Sequence, residues 1–260
     1  MNCLARMLIA VALLPTASFG DADAIINRRL AYRETILDQR APMAIERLVK
    51  GEQTVVTFVD DLPADKAKTH FFIDVDWKYD YTYKIRQQNG TRQVALTVTD
   101  IQLEITVRHV VQMPLAFHHV GIWETQLLLH EFDHVALSGD TRIRRLLKEV
   151  CGNLPTITAT QTGSSKPKDA FLAELINKEI TRREEGVLDL VRSNYVLLDK
   201  VSDHGRISIP NRSQFFAQLF TQANLQQHRF PFLEQVSKLL ASEAYREVKP
   251  KNLPTDPAAR

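Results

Sequence analysis

Residues 71–77 read Phe-Phe-Ile-Asp-Val-Asp-Trp, and this stretch decides the fold class. Its odd positions are all large and apolar, and two of its three even positions are aspartate, which is the period of a half-buried β-strand. Residues 101–108, Ile-Gln-Leu-Glu-Ile-Thr-Val-Arg, alternate in the same way. With the β-branched residues 54–59 and the segments on either side of Asn89-Gly90, a hairpin signal, they predict four or five strands. Because the connections are short, we expect an antiparallel sheet.

The period changes after Gly121, where apolar residues and histidines recur at helical spacing. A second helical segment spans residues 141–150, and a long amphipathic helix runs from Asp169 to about Leu198. The sequence therefore predicts an α+β fold, in which an antiparallel β-sheet packs on the first of these helices and a C-terminal helical subdomain follows. The stripe of that first helix is formed by Trp123, Leu127, His130, His134 and Leu137.

We place the expected domain boundaries where the hydrophobic periodicity of the sequence changes. We expect an α+β domain over residues 25–160, whose first part to Lys50 reads as helical, and a polar linker over residues 161–168. A helical subdomain that completes the functional site then spans residues 169–245, and residues 246–260 form a flexible, Pro-rich tail.

The N-terminus has the pattern of a secretory signal peptide. A short segment with one positive charge precedes the apolar run Met7–Leu14, and small residues follow up to Ala24. The run is too short to span a bilayer. We therefore expect residues 1–24 to be removed and the mature protein to be periplasmic or secreted.

Composition excludes several partners. The 260 residues carry a net charge of +2 without a cluster of Lys or Arg, so the sequence argues against nucleic-acid binding. No later apolar run reaches the length of a membrane span. Cys151 would be the only cysteine of the mature chain, and we expect it to be a buried structural thiol.

The sequence His130-Glu131-Phe132-Asp133-His134 matches the H-E-x-x-H pattern. Residues i and i+4 of a helix lie on one face, so both imidazoles can bind one Zn²⁺ ion. Glu131 projects beside them, where it can activate a zinc-bound water as a general base. Asp133, the other polar residue of the motif, is expected at the helix surface.

A catalytic zinc site needs a third protein ligand. Asp140 has the spacing used in metzincin-type proteases, but the glycine which those motifs need is Leu137 here, and Asp140 equally fits a helix N-cap. Glu149 is placed like the downstream glutamate ligand of gluzincin-type proteases, but it lies rather close to the motif and equally fits a charge on the helix surface. His119 precedes the helix and, like Tyr195, is a candidate for stabilising an oxyanion.

His204 is the third ligand that we predict from the sequence. His204 lies in Asp203-His204-Gly205, at the expected C-terminal end of the long helix. That helix can place His204 next to the H-E-x-x-H helix. Asp203 or Asp199 would then orient its ring.

The strands that end at Pro114, then Trp123, then Leu-Leu-Leu-His-Glu-Phe-Asp-His at residues 127–134, resemble a bacterial family of predicted secreted zinc-dependent proteases (the DUF922 group). Residues 199–205, Asp-Lys-Val-Ser-Asp-His-Gly, are similar to its later D-x-x-T-x-H-G element, with Ser202 in place of Thr. The family often has Gly where this chain has Asp133. The resemblance implies a zinc metallopeptidase.

The sequence thus predicts an enzyme that hydrolyses protein or peptide substrates in the cell envelope, with Zn²⁺ as cofactor. Its expected metal ligands are His130, His134 and His204, and Glu131 is its expected catalytic residue. Two alternatives stay open: a non-catalytic metal-binding or structural envelope protein, and a zinc hydrolase of a non-peptide bond.

Overall fold

A computed structural model describes residues 53–88, 91–117, 123, 125–161 and 167–247. The predicted signal peptide and the helical segment up to Lys50 lie outside these residues, as does the Asn89-Gly90 turn. The strands are β1 (Thr54–Val59), β2 (Lys68–Gln88), β3 (Thr91–Pro114) and β4 (Ile157–Gln161). The helices are α1 (Gln126–Ser138), α2 (Thr141–Gly152), α3 (Asp169–Val201), α4 (Arg212–Gln218), α5 (Gln222–Gln227), α6 (Leu233–Ala241) and α7 (Glu243–Arg246), with a 3-10 turn at Leu115–Phe117.

The four strands form one mixed sheet in the order β1-β3-β2, and β4 pairs with the first part of β3. Strands β2 and β3 are antiparallel, and so are β3 and β4. Strand β1, however, runs parallel to the end of β3, from Thr54 beside His109 to Val59 beside Pro114. The prediction of a purely antiparallel sheet was therefore wrong for β1.

Two long strands replace the four shorter ones that the sequence suggested around the hairpin. The pairing of β2 with β3 shifts register between Lys78 and Asp80, and Asp100 of β3 has a left-handed φ of 53°. A bulge bends a strand without ending it. The alternation of apolar residues is thus interrupted in the sequence while the hydrogen-bonded ladder continues.

The helices contribute to a single core with the sheet. Its buried members come from β2 and β3, from α1 and α2, and from the C-terminal helices, so the core continues across the predicted linker. Cys151 is fully buried within it, as expected, and burial raises the pKa of its thiol to about 12. Among the described residues, no helix is long and apolar enough to cross a membrane.

Helix α3 positions the functional site. It has 33 residues and packs along both α1 and α2. A helix of that length spans about 50 Å. Its C-terminal half can therefore reach α1, although the two are far apart in the sequence.

Candidate metal centre

Helix α1 carries the H-E-x-x-H residues at the bottom of a cavity. The helix begins after Thr125, and all its residues from Leu128 to Ser138 are buried. His130 is 3% exposed and His134 is 5% exposed. Both imidazoles are therefore packed inside the protein and largely shielded from solvent.

Asp199, near the C-terminal end of α3, brings its carboxylate to the two imidazoles. Its Oδ1 lies 3.1 Å from His130 Nε2 and 3.0 Å from His134 Nε2, and the two nitrogens are 3.2 Å apart. Among the described residues, these three make up the one group of ligand atoms that converges closely enough to hold a metal ion. A tetrahedral Zn²⁺ with bonds of 2.0–2.1 Å separates its ligand atoms by roughly 3.3 Å. The triangle therefore has the size of one face of a zinc tetrahedron.

Nε2 of His130 faces Asp199, and the hydrogen bonds of the ring determine whether this nitrogen carries a proton. Ser202 Oγ lies 3.2 Å from His130 Nδ1 and donates its only proton to the carbonyl of Leu198, at 2.9 Å. It must then accept from His130 Nδ1-H, so a neutral His130 turns the lone pair of Nε2 toward the carboxylate. Two acceptors at 3.1 Å repel each other unless a cation lies between them. The donor set thus fits a divalent metal ion.

The turn after α3 completes the support of His130. Gly205 donates its N–H to Ser202 Oγ at 3.1 Å, and His204 donates its N–H to the carbonyl of Asp199 at 2.8 Å. Asp203 and His204 have left-handed φ values of 48° and 55°. Non-glycine residues seldom adopt that region, and functional sites are where such strain concentrates.

His134 is fixed through its backbone and ring rather than through its second nitrogen. Tyr195 and Ser138 each donate to its carbonyl at 2.9 Å, and the ring of Tyr195 packs against the imidazole at a tilt, with 4.3 Å between centroids. Within the described residues, His134 Nδ1 has no hydrogen-bond partner. The hydroxyl of Tyr195 is also 2.8 Å from Ser138 Oγ, and burial raises its pKa. The hydroxyl proton is used in these internal contacts, and the role of Tyr195 as an oxyanion donor stays a prediction.

Glu131 lies beside the two histidines and is 3% exposed. The hydroxyl of Thr69, the second residue of strand β2, donates to its Oε2 at 2.6 Å and lies 3.1 Å from its carbonyl oxygen. The carboxylate is therefore held toward strand β2.

A cavity of about 560 Å³ opens above these side chains. The loop before β2 and the first residues of β2 form one wall, and the turn after α3 forms another. Strand β2 is an edge of the sheet, since none of the other described strands pairs with its far side. The cavity is lined by the metal-site residues and by Lys66, Lys68, His70, Leu127, His204 and Arg206, among others.

His204, the third ligand predicted from the sequence, lies outside the converging group. His204 lines the cavity further along the turn after α3. Asp199, which the sequence predicts only as a residue that orients His204, supplies the third converging ligand atom. The reason is the length of α3: the helix continues to Val201, so its last turn presents Asp199 to α1 and the chain turns away before His204.

The other candidate ligands are occupied elsewhere or lie outside the site. Asp140 caps α2 and forms a buried ion pair with Arg142, at 2.6 Å, which confirms the N-cap alternative. Glu149 is half-buried on α2, apart from the converging group. His119 lies outside the described residues.

Asp133 departs from its expected position at the helix surface. It is 4% exposed and forms an ion pair with Arg212, the first residue of α4. A buried carboxylate needs such a partner. The residue thus connects the metal-site helix to the C-terminal helices.

Electrostatics keep Asp199 ready to bind a cation. Partial burial opposes its ionisation, but its close contacts with the imidazoles of His130 and His134 outweigh this effect and lower its pKa. The carboxylate is thus ionised at neutral pH. An ionised carboxylate and two imidazoles form a donor set typical of catalytic zinc sites.

No protein-family model, curated protein or solved structure matches this chain. The resemblance of residues 127–134 and 199–205 to secreted zinc-dependent proteases stays a prediction. The geometry gives those residues physical roles: the last turn of α3 and the following turn contain a candidate metal ligand, the partner of His130 Nδ1 and the glycine that packs against His130.

Proposed function

We propose that this protein is an exported zinc metallopeptidase, whose metal is held by His130, His134 and Asp199. The observation that carries the proposal is the convergence of these three ligand atoms beside a buried glutamate at the bottom of a cavity. A structural zinc site is usually closed by four protein ligands, whereas a catalytic site has three and leaves one position for water or substrate.

Zinc bound there would supply a Lewis acid, which lowers the pKa of a bound water to about 7. Glu131 accepts a proton from the attacking water as the oxygen forms its bond to the carbonyl carbon. It then delivers that proton to the leaving amine as the carbon–nitrogen bond breaks. The second proton of the water also passes to the amine, so the products are a carboxylate and an ammonium group, and Glu131 returns to its ionised form.

Strand β2 provides the surface on which a peptide substrate is held. The edge of β2 that no other described strand pairs with begins at Lys68 and Thr69, which line the cavity next to Glu131. An extended peptide can add to such an edge through main-chain hydrogen bonds. Because main-chain pairing recognises any extended peptide, it favours a peptide over a compact non-peptide substrate.

The proposal is tested with the mature protein, loaded with one equivalent of Zn²⁺ and incubated with a mixed-sequence peptide library. We expect cleavage that a chelator abolishes and zinc restores, and that is absent in Glu131→Gln. Mass spectrometry of the products detects the new termini. Stoichiometric zinc with no cleavage of peptides would favour the non-catalytic or non-peptide alternatives.

Export is part of the same proposal. The predicted signal peptide implies a mature protein that begins after residue 20 and before residue 26. Intact-mass analysis of protein from the periplasm or medium measures this directly. A full-length mass in those fractions would contradict it.

A further inference from the structure

We propose that Thr69 is a positioning residue for the general base Glu131. This inference rests on the proposed function, because it assigns Thr69 a role in that same reaction. It starts from the short hydrogen bond between Thr69 Oγ1 and Glu131 Oε2, at 2.6 Å. That distance is typical of a hydroxyl donating to an ionised carboxylate, which is the stronger class of hydrogen bond.

The contact connects the two elements that the reaction must align. Thr69 belongs to the edge strand β2, where it pairs with Val111 of β3, and Glu131 belongs to the helix that carries both histidines. A peptide paired with the edge of β2 is therefore in register with the residue that holds the base. A displacement of the base by about 1 Å can cost about 100-fold in rate.

The residue type at position 69 suits this task. Threonine is β-branched and has a restricted χ1 angle, which strands accommodate well. Its hydroxyl also lies 3.1 Å from the carbonyl oxygen of Glu131, so the same oxygen contacts both ends of that residue. Glutamate otherwise has three rotatable bonds, and a fixed donor at its tip selects one arrangement.

Other donors around the cavity do not share this position. His70, the next residue of β2, is paired with Gln112 at 3.2 Å. Tyr195 donates to the carbonyl of His134. Among the described residues, the hydrogen bond with Thr69 is the one that reaches the carboxylate of Glu131.

The test compares Thr69→Val, which keeps the shape without the donor, with Thr69→Ser, which keeps the donor. Both zinc-loaded variants are assayed for kcat and KM, and their affinity for a simple peptide hydroxamate is measured by calorimetry. A hydroxamate binds the metal and also contacts the neighbouring base, so it reports the position of Glu131 without turnover. Zinc content and melting temperature are recorded for each variant.

We expect Thr69→Val to lower kcat by about 10- to 100-fold with KM little changed, and to weaken hydroxamate binding by about 10-fold. Thr69→Ser should recover most of both losses, and all variants should keep one zinc. Unchanged kcat and hydroxamate affinity in Thr69→Val would overturn the inference. So would equal losses in Ser and Val, since they would point to packing rather than to the hydroxyl.

The outcomes also separate this inference from the proposed function. If the wild type cleaves no peptide but binds hydroxamate with the expected dependence on Thr69, the reaction assigned is wrong and the positioning of Glu131 stands. If peptides are cleaved and Thr69→Val behaves like the wild type, the function stands and the inference fails.

Discussion

Gly205 packs directly against the ring of His130. A Cβ built on Gly205 would lie 2.8 Å from both Cγ and Cδ2 of that ring, and the glycine has a φ of +79°. Real Cβ atoms do not approach ring atoms so closely, and residues with a side chain rarely adopt this φ. The last turn of the site therefore requires glycine for two independent reasons.

Replacing Gly205 by alanine should push His130 out of the metal triangle. We expect Gly205→Ala to lose about 2 kcal/mol of unfolding free energy, because left-handed backbone alone costs 1–2 kcal/mol. Its zinc affinity should fall as well. Denaturant unfolding and zinc titration measure both effects. Gly152→Ala is the control, since the added Cβ meets nothing within 4 Å beyond its own helix and chain neighbours. It should leave zinc affinity unchanged and should not lower stability, because alanine is favoured over glycine in a helix.

Ser202 should control metal affinity through the tautomer of His130. Removing the hydroxyl in Ser202→Ala leaves Nδ1 of His130 without its acceptor, and such losses typically weaken metal binding by 10- to 100-fold. Ser202→Thr keeps the hydroxyl and should bind zinc like the wild type. Competition with a chromogenic chelator gives the affinities. Equal affinities for Ser202→Ala and the wild type would contradict the tautomer assignment.

Glu184 should make the protein less stable as the pH rises from about 4.5 to 7. It is 2% exposed, its Oε2 has no partner within the described residues, and burial raises its pKa to about 7. The unfolded chain loses this proton at lower pH than the folded chain, so ionisation opposes folding in that range. The full cost at pH 8 is up to about 3 kcal/mol.

Glu184→Gln should therefore be more stable than the wild type at pH 8 and about equal to it at pH 4.5. Denaturant unfolding at both pH values measures the difference. Glu174→Gln, an exposed position on the same helix, serves as the control and should show no such dependence. If the stability difference between Glu184→Gln and the wild type is the same at both pH values, the raised pKa of Glu184 is refuted.

Asp140 should contribute to stability without affecting the metal. Its ion pair with Arg142 is almost fully buried, and Arg142 also donates to three carbonyls around α4. Removing one partner of a buried pair typically costs 3–5 kcal/mol. We expect Asp140→Asn to lose stability of that order, measured by denaturant unfolding, and to keep its zinc affinity. Asp189→Asn, which breaks an exposed pair with Arg192, should cost less than about 1 kcal/mol.

The sequence was sufficient for the elements with a clear period. Alternation in residues 71–77 and 101–108 predicted strands, and the spacing of His130 and His134 predicted the helix on which they converge. Local chemistry also identified Asp140 as a possible helix cap. These features depend on neighbours a few residues apart, so they can be read without the fold.

Long-range relationships were not visible in the same way. The parallel pairing of β1 with β3 depends on how the chain crosses the sheet, and nothing in residues 54–59 specifies a direction. The choice of Asp199 over His204 depends on where α3 ends relative to α1. The two residues are five positions apart, so a shift of little more than one helical turn decides which one reaches the histidines.

One signal could have pointed to Asp199 beforehand. It begins the element Asp-x-x-Ser-x-His-Gly, whose Ser202 and Gly205 also contact His130. Three residues at spacings of three from the end of a helix lie close together in space. Thr69 had no such signal, because its contact with Glu131 joins a strand and a helix 62 residues apart.

The most direct test of this account is the zinc content of three purified mature proteins, measured by mass spectrometry of the metal after gel filtration in metal-free buffer. We expect about one zinc per chain in the wild type and in His204→Ala, and almost none in Asp199→Ala, which should remain folded by circular dichroism. Zinc retained by Asp199→Ala and lost by His204→Ala would contradict the metal centre described here.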